Sequence, residues 1–436
     1  MQSFSTQFGA RDIVRASAGT HRDVLNRDMD PHYGYGGSYY LGKPDENAVK
    51  YRVVGRLPHD HKGLRSWLDK FIEKDAVIYM GFHQMFEQVP NKPPYNHDPT
   101  GKPQVRDYKL MLKLFNHIIS TAPAFEDHEF VGFPINAILD WPMGTPAGMA
   151  MFSRPDVNIH FHKMFDVWTT FLDSKESTAV LNSGATGWFG LRASKAMPHF
   201  VETYVCDPSL PHYGFKSWND FFTRRFRDGV RPVIYHHDDN YISSACESTV
   251  YRIAHQVQKT DSFWVKGQSY SLDHMLGFDE DASHFVGGTV YQAFLPVTAY
   301  HGWHAPVSGR VQRVTVIPGT YYAESPSEGF PDPDSDASNA SQAFLTAVAA
   351  RTIIYIEADN PKIGLMCFMG VGMAEVSTCM ATVKAGDIIR KGDNIGTFRY
   401  GGSTHCLIFR PETKVKFSPD IDHHADVKLN VAIAHV

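Results

Sequence analysis

A Gly-Ser bond held in a tight turn is a place where a polypeptide can attack itself. Tyr400-Gly401-Gly402-Ser403-Thr404 puts such a bond directly before the apolar run Cys406-Leu407-Ile408-Phe409. The Gly402 carbonyl has no side chain shielding it, and glycine tolerates the backbone angles that expose it. Attack by Ser403 Oγ would turn the peptide into an ester, and elimination and hydrolysis would then leave a pyruvoyl group in place of the serine. The tetrapeptide alone is also an ordinary flexible turn. Three upstream segments give it chemical company: Ser243-Ser244-Ala245-Cys246-Glu247-Ser248, Tyr300-His301-Gly302-Trp303-His304-Ala305-Pro306, and Lys391-Gly392-Asp393-Asn394-Ile395-Gly396-Thr397-Phe398. His301 and His304, spaced i, i+3 near a strand end, can offer two imidazoles to one cleft. Their pKa near neutrality lets them take a proton from a hydroxyl or return one to a carbanion. A carboxylate such as Glu247 can fix a histidine tautomer, the division of labour of a Ser-His-acid triad.

The elements that must position these residues change character along the chain. Leu64, Trp67, Leu68, Phe71 and Ile72 form one stripe of an amphipathic helix. Tyr108, Met111, Leu112, Phe115, Ile118 and Ile119 form a second. Phe161, Met164, Phe165, Trp168, Phe171 and Leu172 form a third, starting near Pro155-Asp156. From about Cys206, short β-branched and aromatic stretches alternate with Gly/Pro turns: Thr249–Ile253, Phe263–Val265, Val290–Val297, Gly309–Ile317, Thr352–Glu357, Gly364–Val371 and Ala381–Lys384. The reading is α+β, with a mainly helical domain over 1–205 and a β-rich domain over 206–436. Ile363–Ala374 reads as a buried strand pair. The acidic, Ser/Pro-rich stretch Glu324–Gln342 reads as a long mobile loop of the kind that forms lids.

With 436 residues, 43% of them hydrophobic, the chain can bury a large core, and its net charge of −5 gives no sign of nucleic-acid binding. Five cysteines without a CxxC pair indicate reduced thiols, and Cys246 and Cys406 are assigned no chemistry. No window supplies the ~20 apolar residues of a membrane span. Arg11, Arg15 and Arg22 faintly suggest a transit peptide, but Asp12 and the missing apolar face argue against import, so a soluble cytoplasmic protein is expected. His160 and His162 point to different helix faces, and no metal is expected. Lys266 lies at a strand end with no motif of a PLP enzyme around it. The run Arg224-Arg225-Phe226-Arg227 reads as an ion-paired structural element.

Together these segments resemble the phosphatidylserine decarboxylase family, pyruvoyl-dependent enzymes that cut themselves at a Gly-Ser bond. Tyr300-His301-xx-His304-x-Pro306 is similar to the family's YHxxHxP, and Phe221-Phe222-x-Arg224 with Arg231-Pro232 to its FFxR…RP. Val265-Lys266-Gly267, Tyr270-Ser271-Leu272 and Lys391-Gly392-Asp393 also match, over roughly Tyr213 to Phe409. The resemblance implies cleavage between Gly402 and Ser403, with Ser403 as the pyruvoyl precursor. It implies His304 as the base for cleavage and His301 as the group that assists decarboxylation and returns a proton to the carbanion. The pyruvoyl ketone would condense with a substrate amine to an imine that accepts the electron pair left by CO₂, so neither PLP nor a metal is implied. Glu247 stands where the family usually has aspartate. The two chains produced by cleavage are expected to stay associated.

The helical first half resembles the soluble fungal branch of that family, which includes an L-tryptophan decarboxylase of secondary metabolism, and implies a small-molecule amino acid as substrate. Phosphatidylserine is the alternative substrate. A lipoyl-type hammerhead is the non-enzyme alternative, suggested by Val383–Asp387 and Lys391–Gly396, although neither Met-Lys-Met nor Asp-Lys-Ala occurs there.

Overall fold

In the computed structural model the described residues are 61–126, 133–261, 270–326, 340–375, 378–400 and 403–436, all within the unit Leu41–Val436. Asp75 splits the first helical stretch into α1 (His61–Lys74) and α2 (Ala76–Glu87), because its carboxylate accepts the N–H groups of Val77 and Ile78 at 2.8 and 3.0 Å. Asp107 caps α3 (Tyr108–Ile118) in the same way through Leu110 N–H at 2.8 Å. Helices α4 (Pro134–Met143), α5 (Pro146–Phe152) and α6 (Pro155–Leu172) each begin with proline, whose missing N–H costs nothing in a first turn. Short helices follow: α7 (Leu191–Ala196), α8 (Phe200–Thr203), α9 (Trp218–Phe222), α10 (Leu272–Met275) and α11 (Gln342–Val348).

The stripes read from sequence are α1, α3 and α6. Helices α2, α4 and α5 were not anticipated, and α4 shows why. Every residue from Ile135 to Met143 is buried, so the helix presents no alternation of apolar and polar faces.

The strands are β1 (Tyr241–Ser243), β2 (Ser248–His255), β3 (Thr289–Leu295), β4 (Gly302–His304), β5 (Gly309–Ile317), β6 (Arg351–Ala358) and β7 (Leu365–Gly372). The rest are β8 (Thr378–Ala381), β9 (Ile388–Ile389), β10 (Asn394–Arg399), β11 (Ser403–Phe409), β12 (Lys416–Phe417), β13 (Asp426–Val427) and β14 (Ala432–His435). An eight-stranded antiparallel sheet runs in the order β13-β2-β3-β11-β7-β6-β5-β9. Three-stranded sheets β4-β10-β8 and β1-β14-β12 accompany it. The chain is therefore α+β, with helices leading and strands following.

Two strand assignments change. Ile363–Ala374 holds one strand, β7, because a residue run buried on both faces is a central strand and needs no turn. The strand expected over Ala381–Lys384 ends at Ala381, where its pairing with β10 stops. Phe263–Val265, Lys266, most of Glu324–Gln342 and the arginines of the N-terminal stretch lie outside the described residues.

Strand β11 separates two cores. Leu407 and Phe409 pack with Trp303, Ile395 and Phe398 on the face covered by the β4-β10-β8 sheet. Cys406 and Ile408 pack with Leu272, Met275 and Phe344 under α10 and α11. A third core holds the helices together and takes in Tyr300, Tyr322 and Tyr400 from the β-rich half.

Glu375, three residues beyond the end of β7, ties the sheet to the helices. Its Oε1 accepts the N–H groups of Ile135 and Asn136 at 2.6 and 2.8 Å, at the start of α4. Burial pushes its carboxyl up to about 7, against the lowering effect of those N–H groups. A carboxyl whose folded pKa is raised binds its proton more tightly when folded, so stability falls as pH rises from the ordinary carboxyl value to about 7. The full loss is about 3 kcal/mol. Glu375→Gln keeps the acceptor oxygen and removes the titration. Urea unfolding at pH 5 and pH 8 should therefore show the variant gaining about 2 kcal/mol on wild type between the two. An equal difference at both values would contradict this account.

Candidate active site around Ser403

Ser403 is the first residue of β11, directly opposite Leu295 in β3 and Gly372 in β7. Residues directly opposite in antiparallel strands point their side chains to the same face. Glycine at 372 therefore leaves the space beside Ser403 free of a side chain. Ser403 is 2% exposed, and its Oγ has no hydrogen-bond partner among the described residues. Gly401 and Gly402 lie outside those residues. Tyr400, just before them, sits at φ 52°, a conformation that costs a side-chain-bearing residue about 1 kcal/mol. Aromatic packing holds it there: its ring lies 4.6 Å from Trp168 and 6.0 Å from Phe222.

His304 closes β4. Its Nδ1 lies 2.7 Å from the Gly392 carbonyl, and its Nε2 lies 3.0 Å from the Tyr300 hydroxyl. A carbonyl only accepts, so Nδ1 carries the proton and Nε2 receives the Tyr300 O–H. Burial holds the ring below the usual histidine range and pushes the Tyr300 phenol up to about 12, so both groups are neutral at physiological pH. Two glycines make the arrangement possible. Tyr300 reaches His304 by folding back over Gly302, where a Cβ would stand 2.1 Å from its hydroxyl. Gly392 sits at φ 90°, which turns its carbonyl toward the ring, and the neighbouring Lys391 Nζ is anchored on the carbonyls of Asp238 (2.7 Å) and Tyr235 (3.2 Å).

His301 precedes β4, and its Nδ1 lies 3.0 Å from the Ala299 carbonyl, which again leaves Nε2 as the basic nitrogen. Its ring rests 4.2 Å from Phe222, the residue that also faces Tyr400. Arg224 fixes this loop by donating to Thr298 O at 2.6 Å and Ala299 O at 2.8 Å. Arg227 binds the carbonyls of Val201 and Cys206, both at 2.7 Å. These two arginines of the basic run thus hold backbone carbonyls rather than carboxylates. A buried loop has more unpaired carbonyls than acids to offer.

Glu247 has other partners. Its carboxylate takes Arg231 Nη2 at 2.6 Å and Nε at 3.1 Å, and accepts the Leu429 N–H. Arg231 lies 4.8 Å from the Phe226 ring, and Phe226 lies 4.4 Å from Tyr300. The tautomer of His304 is thus set by Gly392, and Glu247 reaches it only through Arg231, Phe226 and Tyr300.

The sequence reading overlooked three residues. Tyr300 stands in the sequence as part of a motif, and its spacing of four from His304 is the available signal. His405 lies two residues after Ser403, on the same face of β11. It is fully buried between Tyr291 and Phe368, and burial pushes it down to about 3, so it stays neutral. Glu375 had no local signal at all. Burial pushes the Cys246 and Cys406 thiols up, away from reactivity.

Two phosphatidylserine decarboxylase family models match the chain, one over residues 66–197 and one over 218–435. An L-tryptophan decarboxylase of Psilocybe cubensis is 40% identical over 365 residues, covering 79% of this chain and 80% of that protein. Decarboxylase iboD of Amanita muscaria is 41% identical over 320 residues, 70% of this chain and 91% of its own. Phosphatidylserine decarboxylase proenzyme 3 of Schizosaccharomyces pombe is 27% identical over 55% of this chain and 23% of its own. The decarboxylase relatives and family models place the chain among carbon–carbon lyases that remove CO₂. The chain belongs to the phosphatidylserine decarboxylase family.

The Tyr300–His304 contact yields a direct test. Gly302→Ala must drive the Tyr300 hydroxyl off Nε2, which removes a donor that favours the neutral ring. NMR titration of the His304 ring should then show its pKa rising toward the ordinary histidine value. An unshifted titration would show that Tyr300 does not control this nitrogen.

Proposed function

We propose that the protein is a self-processing, pyruvoyl-dependent decarboxylase of a soluble L-amino acid, aromatic and tryptophan-like. The observation that carries this reading is Ser403: buried, its Oγ without a partner among the described residues, heading a central strand and facing Gly372. In this reading Ser403 Oγ attacks the Gly402 carbonyl, and His304 Nε2, once Tyr300 releases it, takes the hydroxyl proton. With glycine at 372, the paired position adds no side chain beside the small planar group that Ser403 would become. That group would supply an electron sink for the pair released with CO₂. His301, with Nε2 as its basic nitrogen, holds the proton that replaces CO₂ on the substrate. Glu247 supports Tyr300 through Arg231 and Phe226.

Cleavage at 402/403 gives a large chain of residues 1–402 and a small chain of 403–436, which stay together because β11 lies between two strands of the large chain. This reading keeps the division into a mainly helical part, 1–205, and a β-rich part, 206–436. The name of the Psilocybe cubensis relative supports an amino acid substrate. The protein is read as soluble and cytoplasmic, and no helix among the described residues is long and apolar enough to cross a membrane.

A denaturing gel tests the cleavage: wild type should run as two chains, and Ser403→Ala as one. His304→Ala should slow the conversion about 10²–10⁴-fold. An intact wild-type chain would sink the pyruvoyl reading. The substrate is tested by CO₂ release from L-tryptophan and from phosphatidylserine vesicles, with release from tryptophan alone expected. Release from vesicles alone would restore the lipid reading, which the proenzyme relatives favour.

A further inference from the structure

Two buried polar atoms near the Ser403 end of the sheet have no partner among the described residues: Glu375 Oε2 and the Tyr322 hydroxyl. Their residues are 3% and 1% exposed. An unbonded carboxylate oxygen in such a place is costly, and native proteins keep one where something else completes it. Oε1 is already used by the start of α4, so Oε2 is the spare acceptor. Its place is fixed by register. Gly372 stands opposite Ser403, Glu375 follows three residues on, and Ala374 N–H binds Tyr321 O at 3.0 Å, which draws Tyr322 alongside. Aromatic rings wall the region: Tyr322 lies 5.1 Å from Phe161 and 6.3 Å from Phe165, and Tyr400 lies 4.6 Å from Trp168. After burial, the negative charge of Glu375 is the next influence that lifts the Tyr322 and Tyr400 phenols.

We infer that Glu375 Oε2 is a substrate-recognition acceptor, taking an N–H donor of an amino acid whose side chain packs on these rings. This rests on the amino-acid reading above. A carboxylate set among aromatic rings attracts an ammonium or a ring N–H and repels a phosphodiester, so it favours a free amino acid over a phospholipid. The donor is either the α-ammonium, common to all L-amino acids, or a ring N–H of the side chain.

The test compares wild type with Glu375→Gln, which preserves the acceptor for α4 and replaces the free acceptor with an amide donor. Both proteins are checked for cleavage on a gel and for cooperative melting. The substrates are L-tryptophan and 3-benzothienyl-L-alanine, in which sulfur replaces the ring N–H, and tryptamine serves as an inhibitor. If the ring N–H is read, wild type prefers tryptophan by about tenfold or more in kcat/KM, and the variant brings the ratio within about threefold. If the α-ammonium is read, the variant loses about tenfold or more on both substrates alike. In both cases Ki for tryptamine rises by a comparable factor. Unchanged kcat/KM values and Ki in a cleaved, folded variant overturn this inference alone. Turnover of neither substrate by fully cleaved wild type overturns the aromatic-substrate reading and this inference with it.

Discussion

The backbone hydrogen bonds that β11 makes to β3 on one side and β7 on the other run unbroken from Ser403 to Phe409. A strand paired on both edges cannot slide, tilt or fray at its first residue without breaking two ladders at once. That constraint converts a serine from a turn residue into a group of fixed direction. It also decides the neighbourhood. The face that carries Ser403 and His405 is the one packed by Trp303 and Phe398, so the strands bearing His304 and delivering Tyr400 are pressed against it. Rigid elements thus hold Ser403 and the strand that bears His304.

Both histidines are oriented by backbone carbonyls, Ala299 for His301 and Gly392 for His304. A carbonyl sets a tautomer as firmly as a carboxylate does, and it adds no charge. The result is a pair of imidazoles that each carry the proton on Nδ1, with His304 Nε2 taking the Tyr300 O–H. The cost moves to the loops, which must be held in unusual shapes. Arg224 clamps one and Lys391 the other, each by binding carbonyls that would otherwise be unpaired. The motif residues around the histidines are thus parts of two loop clamps.

Much of this was legible in sequence. The helices with one apolar stripe and the strands with β-branched runs announced themselves. So did the Gly-Ser bond, because its chemistry is local. The legible part ended where contacts became distant. Helix α4 carries apolar residues on all sides because it is enclosed on all sides, and no periodicity survives that. The partners of Glu247 lie 16 and 182 residues away, and those of Glu375 239 and 240 away, so nothing beside either residue reveals what it binds. The tight spacing of Tyr300, Gly302 and His304 was visible, but its meaning required seeing the phenol fold back over the glycine.

The alternation along β11 has an implication for how this chain can change. Ser403 faces one core, while Thr404 is bonded to Gln292 Nε2 and Ala293 O. Loss or gain of a single residue in the approach from β10 would advance the ladder by one step and exchange the two faces. Threonine would then face the layer of Trp303 and Phe398, and the serine the opposite layer. Side chains along this approach are open to substitution, but its length is not, so the segment from Asn394 to Ser403 behaves as a ruler whose graduations cannot be altered singly.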